Sequence, residues 1–158
     1  MARPGYAAHL VRRFFGHLRA RPLTPSEQVL VATMLSPDLH RLFTGQPHQD
    51  QRHAFDVASR STHRSADVLE AALTHDVGKS VAHLGPFGRA AATLWSFTPF
   101  RVRGRWQTYL DHGAIGAEML TGAGATEFTV AFARDHPGPV PPGIDPLAWE
   151  ALASADDA

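Results

Sequence analysis

The chain has 158 residues, with fifteen acidic side chains against fifteen lysines and arginines and no cysteine. That length suits one domain with a core of its own, the charge balance gives no field for nucleic acid, and the lack of thiols excludes disulfides, cysteine nucleophiles and sulfur-bound metals. The uncharged run Ala90–Phe100 is far shorter than the roughly 20 residues of a membrane helix, and no apolar signal-type stretch opens the sequence, so a cytoplasmic protein without membrane contact is expected.

Leu10, Val11, Phe14, Phe15 and Leu18 recur at three- and four-residue steps and predict a first amphipathic helix. Five arginines (Arg3, Arg12, Arg13, Arg19 and Arg21) precede the first acid, Glu27. They suit the solvated face of that helix, or a patch for anionic lipid or RNA. Thr24-Pro25-Ser26-Glu27 is a capping box with proline at the first helical position, and it opens a helix through Val29 to Leu35. Ser36-Pro37-Asp38 starts another short helix, which Gly45 is placed to end. A fourth helix is expected from about Gln49 to Arg60. Ser65 caps a fifth that runs through Val68, Leu69, Ala72 and Leu73 to an adjacent His-Asp pair. Further helices are predicted over Phe87–Ser96, Trp106–Leu120, Thr126–Arg134 and Pro146–Ala155, with the proline-rich loop from His136 to Gly143 between the last two. No stretch alternates with period two, so the expected fold class is all-α, a single compact helical bundle. Residues 1–48 would supply N-terminal helices and 49–158 a helical core. Trp95, Trp106 and Trp149 read as core residues.

Histidine is over-represented, at ten residues. His9, His17, His40, His48, His63 and His83 show no partner pattern. His53, His75 with Asp76, His112, His136 and Asp156 each fall on a different predicted helix or its end, and a compact bundle can bring such positions together. Imidazole and carboxylate donors suit Mn, Fe, Co, Ni or Zn, and one aspartate can bridge two ions roughly 3.5–4 Å apart, as in two-metal hydrolysis. Three residues after Asp76's histidine neighbour pair comes Lys79, the chain's only lysine.

These residues in this order resemble the HD domain, an all-α superfamily of metal-dependent phosphohydrolases. His53-Ala-Phe-Asp-Val-Ala58 resembles its first-histidine motif, and His75-Asp76-Val-Gly-Lys79 its signature pair. His112-Gly-Ala-Ile-Gly-Ala-Glu-Met-Leu120 is similar to the additional histidine helix of two-metal members, with His136 where they place a further histidine and Ala155-Asp156 where they close the site. The resemblance covers about Asp50 to the C-terminus. It implies that His53, His75, Asp76 and Asp156 hold one divalent ion, and that Asp76 bridges to a second completed by His112 and His136. Asp157, adjacent to Asp156, stands as the alternative closing ligand. The small phosphorylated substrate so implied, a phosphate mono- or diester, would be met by Lys79, with Arg52, Arg101, Arg103 and Arg105 as further candidate contacts. A solvated turn is the other reading of Lys79. The Gly-Tyr-Pro motif of the cyclic-dinucleotide phosphodiesterase branch is missing. The same ligand set serves mixed-valence di-iron oxygenases in the superfamily, and a non-catalytic metal-binding signalling module is the third alternative.

Overall fold

The computed structural model describes residues 20–96 and 101–158. The expected amphipathic helix around Leu10–Leu18, with four of its five arginines, lies outside them. Among the described residues the fold is all-α: α1 (Pro25–Met34), α2 (Pro37–Thr44), α3 (His48–Arg60), α4 (Ala66–Thr74), a 3-10 helix (Val77–Ala82), α5 (Pro86–Ser96), α6 (Arg105–Leu110), α7 (His112–Gly122), α8 (Glu127–Asp135) and α9 (Pro146–Asp157). No strand occurs among them, and no helix is long and apolar enough to cross a membrane.

Local chemistry explains most of the boundaries. At α1, the Thr24 hydroxyl accepts from the Glu27 backbone N–H while the Glu27 carboxylate accepts from that of Thr24, at 3.3 and 2.7 Å. Two amide groups that the helix cannot pair are thereby satisfied. Ser36, Thr126 and Asp145 cap α2, α8 and α9 with a side-chain oxygen that accepts a backbone N–H of the first turn. Ser65 holds the N-cap position of α4 without a capping bond; its hydroxyl pairs with His63 Nδ1 at 3.1 Å instead.

Helix α4 is the middle of the bundle. It packs against α1, α2, α3, α8 and α9, and Val68, Ala71, Ala72, Leu73 and Thr74 are fully buried. One apolar cluster joins Val31, Leu39 and Phe43 of the first helices to Val57, Leu73, Leu120, Phe132 and Leu152 of the later ones. Phe128, Phe132 and Trp149 form its aromatic part, with Phe132 and Trp149 edge to face at 4.9 Å. Trp149 is thus a core residue. Trp95 is not: it pairs edge to face with the half-buried Trp106 and is 44% exposed.

Two departures from the sequence expectation shape the site. The chain leaves α4 at His75 and tightens into the 3-10 helix, an element that the sequence pattern does not predict. The helix expected over Trp106–Leu120 is broken at Asp111 into α6 and α7. There His112 Nδ1 donates to the Tyr109 carbonyl at 2.8 Å, taking the oxygen that an unbroken helix would offer to the Gly113 N–H. Gln107 also donates to the Asp111 carboxylate at 2.9 Å. Side chains that bond locally in this way compete with the helical ladder.

The 3-10 helix lies directly on the first turn of α7. A Cβ on Gly78 would stand 2.1 Å from the His112 carbonyl oxygen and 2.7 Å from the Gly116 nitrogen, and one on Gly113 would stand 2.9 Å from the Ala133 oxygen of α8. Only bare backbone fits at either contact. Gly78→Ala must push α7 off the 3-10 helix, at an overpacking cost of about 1–3 kcal/mol. A melting temperature lowered by several degrees is expected. Gly122→Ala, which meets no atom within 4 Å, should leave it unchanged or raise it slightly. Equal melting curves for Gly78→Ala and wild type would show that the contact is not tight.

Candidate metal centre

The fold brings the predicted residues to one place from six segments. His53 comes from α3, His75 and Asp76 from the end of α4, Lys79 from the 3-10 helix, His112 from the start of α7, His136 from just beyond α8, and Asp156 from the last turn of α9. They gather around two buried carboxylates. Asp156 Oδ1 lies 2.8 Å from His53 Nε2 and 3.6 Å from His75 Nε2, and its Oδ2 lies 3.3 Å from His136 Nε2. Asp76 Oδ2 lies 2.5 Å from Lys79 Nζ and 3.6 Å from His75 Nε2, and its Oδ1 lies 3.9 Å from His112 Nε2. The resemblance groups His136 with His112 on Asp76; in the structure its close carboxylate is Asp156. Lys79 sits on Asp76 itself.

Two histidines are fixed through their other nitrogen. His75 Nδ1 donates to the Ala72 carbonyl at 3.1 Å, and His112 Nδ1 donates to that of Tyr109. Each Nδ1–H bond leaves Nε2 with a lone pair facing the carboxylates, the arrangement in which an imidazole coordinates. His75 Nε2 is buried and has no hydrogen bond. A lone pair set between two carboxylate oxygens, 3.6 Å from each, is repelled by both unless a proton or a metal ion lies between them.

The ionisation of the cluster follows from the same charges. Burial alone would raise both carboxyls, but the Lys79 ammonium and the nearby imidazoles hold Asp76 far below the usual carboxylate range. The imidazoles of His136, His53 and His75, close about its oxygens, do the same for Asp156. Burial lowers His75, yet Asp76 and Asp156 outweigh it and raise its pKa. His112 is lowered, first by burial and then by Lys79. The centre therefore holds two ionised carboxylates, whose charge draws a cation to His75 Nε2, where a proton and a metal ion compete for the same lone pair.

These residues fit a metal. Donor atoms of His53, His75 and Asp156 all lie within 4.8 Å of one another, close to the ~3–4.2 Å between donors on a cation with bonds of about 2.1 Å. The set is nitrogen and oxygen only, suited to first-row divalent ions.

Core packing steadies the cluster. The Phe132 ring stacks on His136 at 4.5 Å and meets His75 edge-on at 5.9 Å, so the aromatic core reaches directly to two imidazoles. A buried ion pair that the sequence reading missed lies alongside. Arg89 of α5 grips Asp50 of α3 with two bonds of 2.6 and 2.7 Å. Its guanidinium also lies 5.9 Å from the centre of the Tyr109 ring, which stacks on His112. Neither residue lies in a motif that marks it in sequence; one turn of helix separates Asp50 from His53.

Two expected phosphate contacts have structural partners. Arg52 binds both Glu27 carboxylate oxygens at 2.6 and 2.8 Å and the carbonyls of Arg21 and Pro22, which ties α3 to the capping box of α1. Glu27 is correspondingly lowered to about 2, chiefly by that hydrogen bond. Arg105 bonds the carbonyls of Ala82 and His83 at the end of the 3-10 helix. Arg101 and Arg103 are exposed.

Comparison with protein-family models, with curated proteins and with solved structures finds no match to this chain.

A divalent ion bound here adds its binding free energy to the folded state. Zn²⁺ or Mn²⁺ at a hundred times its dissociation constant contributes about 2.7 kcal/mol, a rise in melting temperature of roughly 5–10 °C. EDTA should reverse the rise. His75→Ala should abolish it relative to the variant's own metal-free value, and an equal rise in that variant would place the ion elsewhere.

Proposed function

We propose that this chain is a metal-dependent phosphohydrolase of the HD type, acting on a small phosphate mono- or diester. The observation that carries the reading is His75 Nε2, buried and without a hydrogen bond between Asp76 and Asp156. His53 and the order of the six ligand-type residues along the chain support it further. In this reading His53, His75 and Asp156 hold a divalent ion with Asp76 beside them. Such an ion supplies Lewis acidity toward water and toward a phosphoryl oxygen.

The chain's own groups do the remainder. Lys79 is mostly buried and paired with Asp76; in this reading its ammonium neutralises charge that develops on the phosphoryl group. His112 keeps its proton on Nδ1 through Tyr109. Burial and Lys79 both disfavour its imidazolium, so Nε2 keeps a lone pair that a metal ion can take. Phe132 excludes water behind His75 and His136, which strengthens each electrostatic contact.

The test uses p-nitrophenyl phosphate and its bis ester with protein purified without chelator, then supplied with Mn²⁺, Fe²⁺ or Zn²⁺. Turnover of at least one ester is expected, lost with EDTA and regained with metal. Lys79→Ala should lower kcat/KM by roughly 10- to 100-fold, the loss of one charge-assisted bond. Its metal content should stay equal or rise, since Asp76 loses an internal cation that competes with the ion. No turnover with any metal, or unchanged kcat/KM in Lys79→Ala, would contradict the proposal. Oxygen consumption by an iron-loaded sample in place of hydrolysis would redirect it to the oxygenase class.

A further inference from the structure

Beside the centre, the fold leaves a cleft of about 670 Å³ between the connection of α2 to α3, the second half of the 3-10 helix and the start of α5. Gln46 and Arg89 form its floor, at 4% and 8% exposure. Pro47, Val81 and Leu84 form an apolar rim, and Ser80, the residue after Lys79, completes one wall. We propose that this cleft seats the organic part of an ester whose phosphoryl group meets Lys79 and the metal centre. The substrate class is then the phosphoester of an uncharged alcohol or phenol about the size of one ring, a proposal that rests on the phosphohydrolase reading.

Position links the cleft to the centre. In a 3-10 helix successive side chains diverge by about 120°. Lys79 takes the direction of Asp76, while Ser80 and Val81 line the cleft, so centre and cleft occupy neighbouring sides of one short helix. A second boundary is shared. The Arg89 guanidinium lies 5.9 Å from the centre of the Tyr109 ring, and that ring stacks on His112. An ester held by its phosphoryl group at Lys79 therefore reaches the cleft past Ser80.

Size and chemistry select the occupant. The volume falls within the roughly 300–1,000 Å³ of small-molecule sites, more than a phosphoryl group alone would fill. Arg89 is matched by both oxygens of Asp50, and its Nε donates to the Leu84 carbonyl. The floor thus carries no net charge to draw a second phosphoryl group, and the apolar rim suits an uncharged ring. Gln46 adds a polar contact. Its amide is tied by one long bond, from Nε2 to the Phe43 carbonyl at 3.4 Å, and its buried Oε1 has no partner. Such an amide gives up little on turning its oxygen toward an O–H or N–H of the ligand.

Two lining positions allow the cleft to be narrowed without touching the core. A Cβ on Gly85 meets no atom within 4 Å, so Gly85→Leu adds bulk without displacing a neighbour, and Val81→Trp does so from the exposed rim. The full chain loaded with Mn²⁺ is titrated by isothermal calorimetry with phenylphosphonate and with methylphosphonate, which resist hydrolysis, and circular dichroism confirms folding. Wild type should bind the phenyl compound roughly 10- to 100-fold more tightly, the effect of burying one ring. Gly85→Leu and Val81→Trp should lose that preference, with methylphosphonate affinity and metal content as in wild type. Equal binding of the two phosphonates by wild type, or a preference that survives both substitutions, would overturn the proposal; turnover of p-nitrophenyl phosphate would then support the metal-dependent reading alone. A phenyl preference that both variants abolish, in protein that hydrolyses no ester with any metal, would keep the cleft as a ligand site and overturn the hydrolytic reading. Neither binding nor turnover would overturn both.

Discussion

Two carboxylates, Asp76 and Asp156, are 5% and 6% exposed, and the arrangement of the later helices answers to them. An ionised carboxylate moved out of water without compensation is too costly for a domain of ordinary stability. Compensation here comes from His53, His75 and His136 around Asp156, and from Lys79, His75 and His112 around Asp76. Each group arrives on a different segment, so the charge cluster can form only when α3, α4, α7, α8 and α9 are in place. The closeness of that assembly depends on glycine. At Gly78 and Gly113 backbone meets backbone at distances that a methyl group would forbid.

Core and centre are mechanically continuous. Phe132 is fully buried and touches Phe128, Trp149, His75 and His136, so a void opened in the aromatic cluster would loosen two imidazoles at once. On the opposite side, the Asp50–Arg89 pair fastens α5 to α3 and sets the guanidinium beside Tyr109, the residue that fixes the His112 tautomer. A buried ion pair adds little net stability compared with apolar packing, but breaking one is costly. Its visible effect is to hold one arrangement of the helices around the centre.

The sequence was most legible where structure is local. Helix starts at Thr24 and Ser36 follow from capping chemistry spread over four residues, and these starts agree with the structure. The break at Asp111 was not legible, because a periodic apolar pattern runs through it and the competing bonds there, from His112 to a backbone oxygen and from Gln107 to Asp111, are made by single side chains. The 3-10 helix after Asp76 was hidden for a related reason: its tightness reflects the approach of α7, which lies more than thirty residues later in the sequence. Within the site, residue order identified which side chains converge. Order could not say which oxygen each imidazole faces, so the partner of His136 and the seat of Lys79 on Asp76 emerged only from the three-dimensional arrangement. Arg52 shows the limit most plainly. Its position beside His53 suggests a substrate contact, yet a glutamate twenty-five residues earlier takes its guanidinium.

Whether the His53, His75 and Asp156 donors hold a metal ion, as proposed, is decided most directly by diffraction. Crystals of the protein grown with Zn²⁺ would be measured on both sides of the zinc absorption edge. An anomalous peak is expected about 2.0–2.2 Å from His53 Nε2, His75 Nε2 and an Asp156 oxygen. Crystals that carry zinc only at surface histidines, with His75 Nε2 still without a partner, would contradict it.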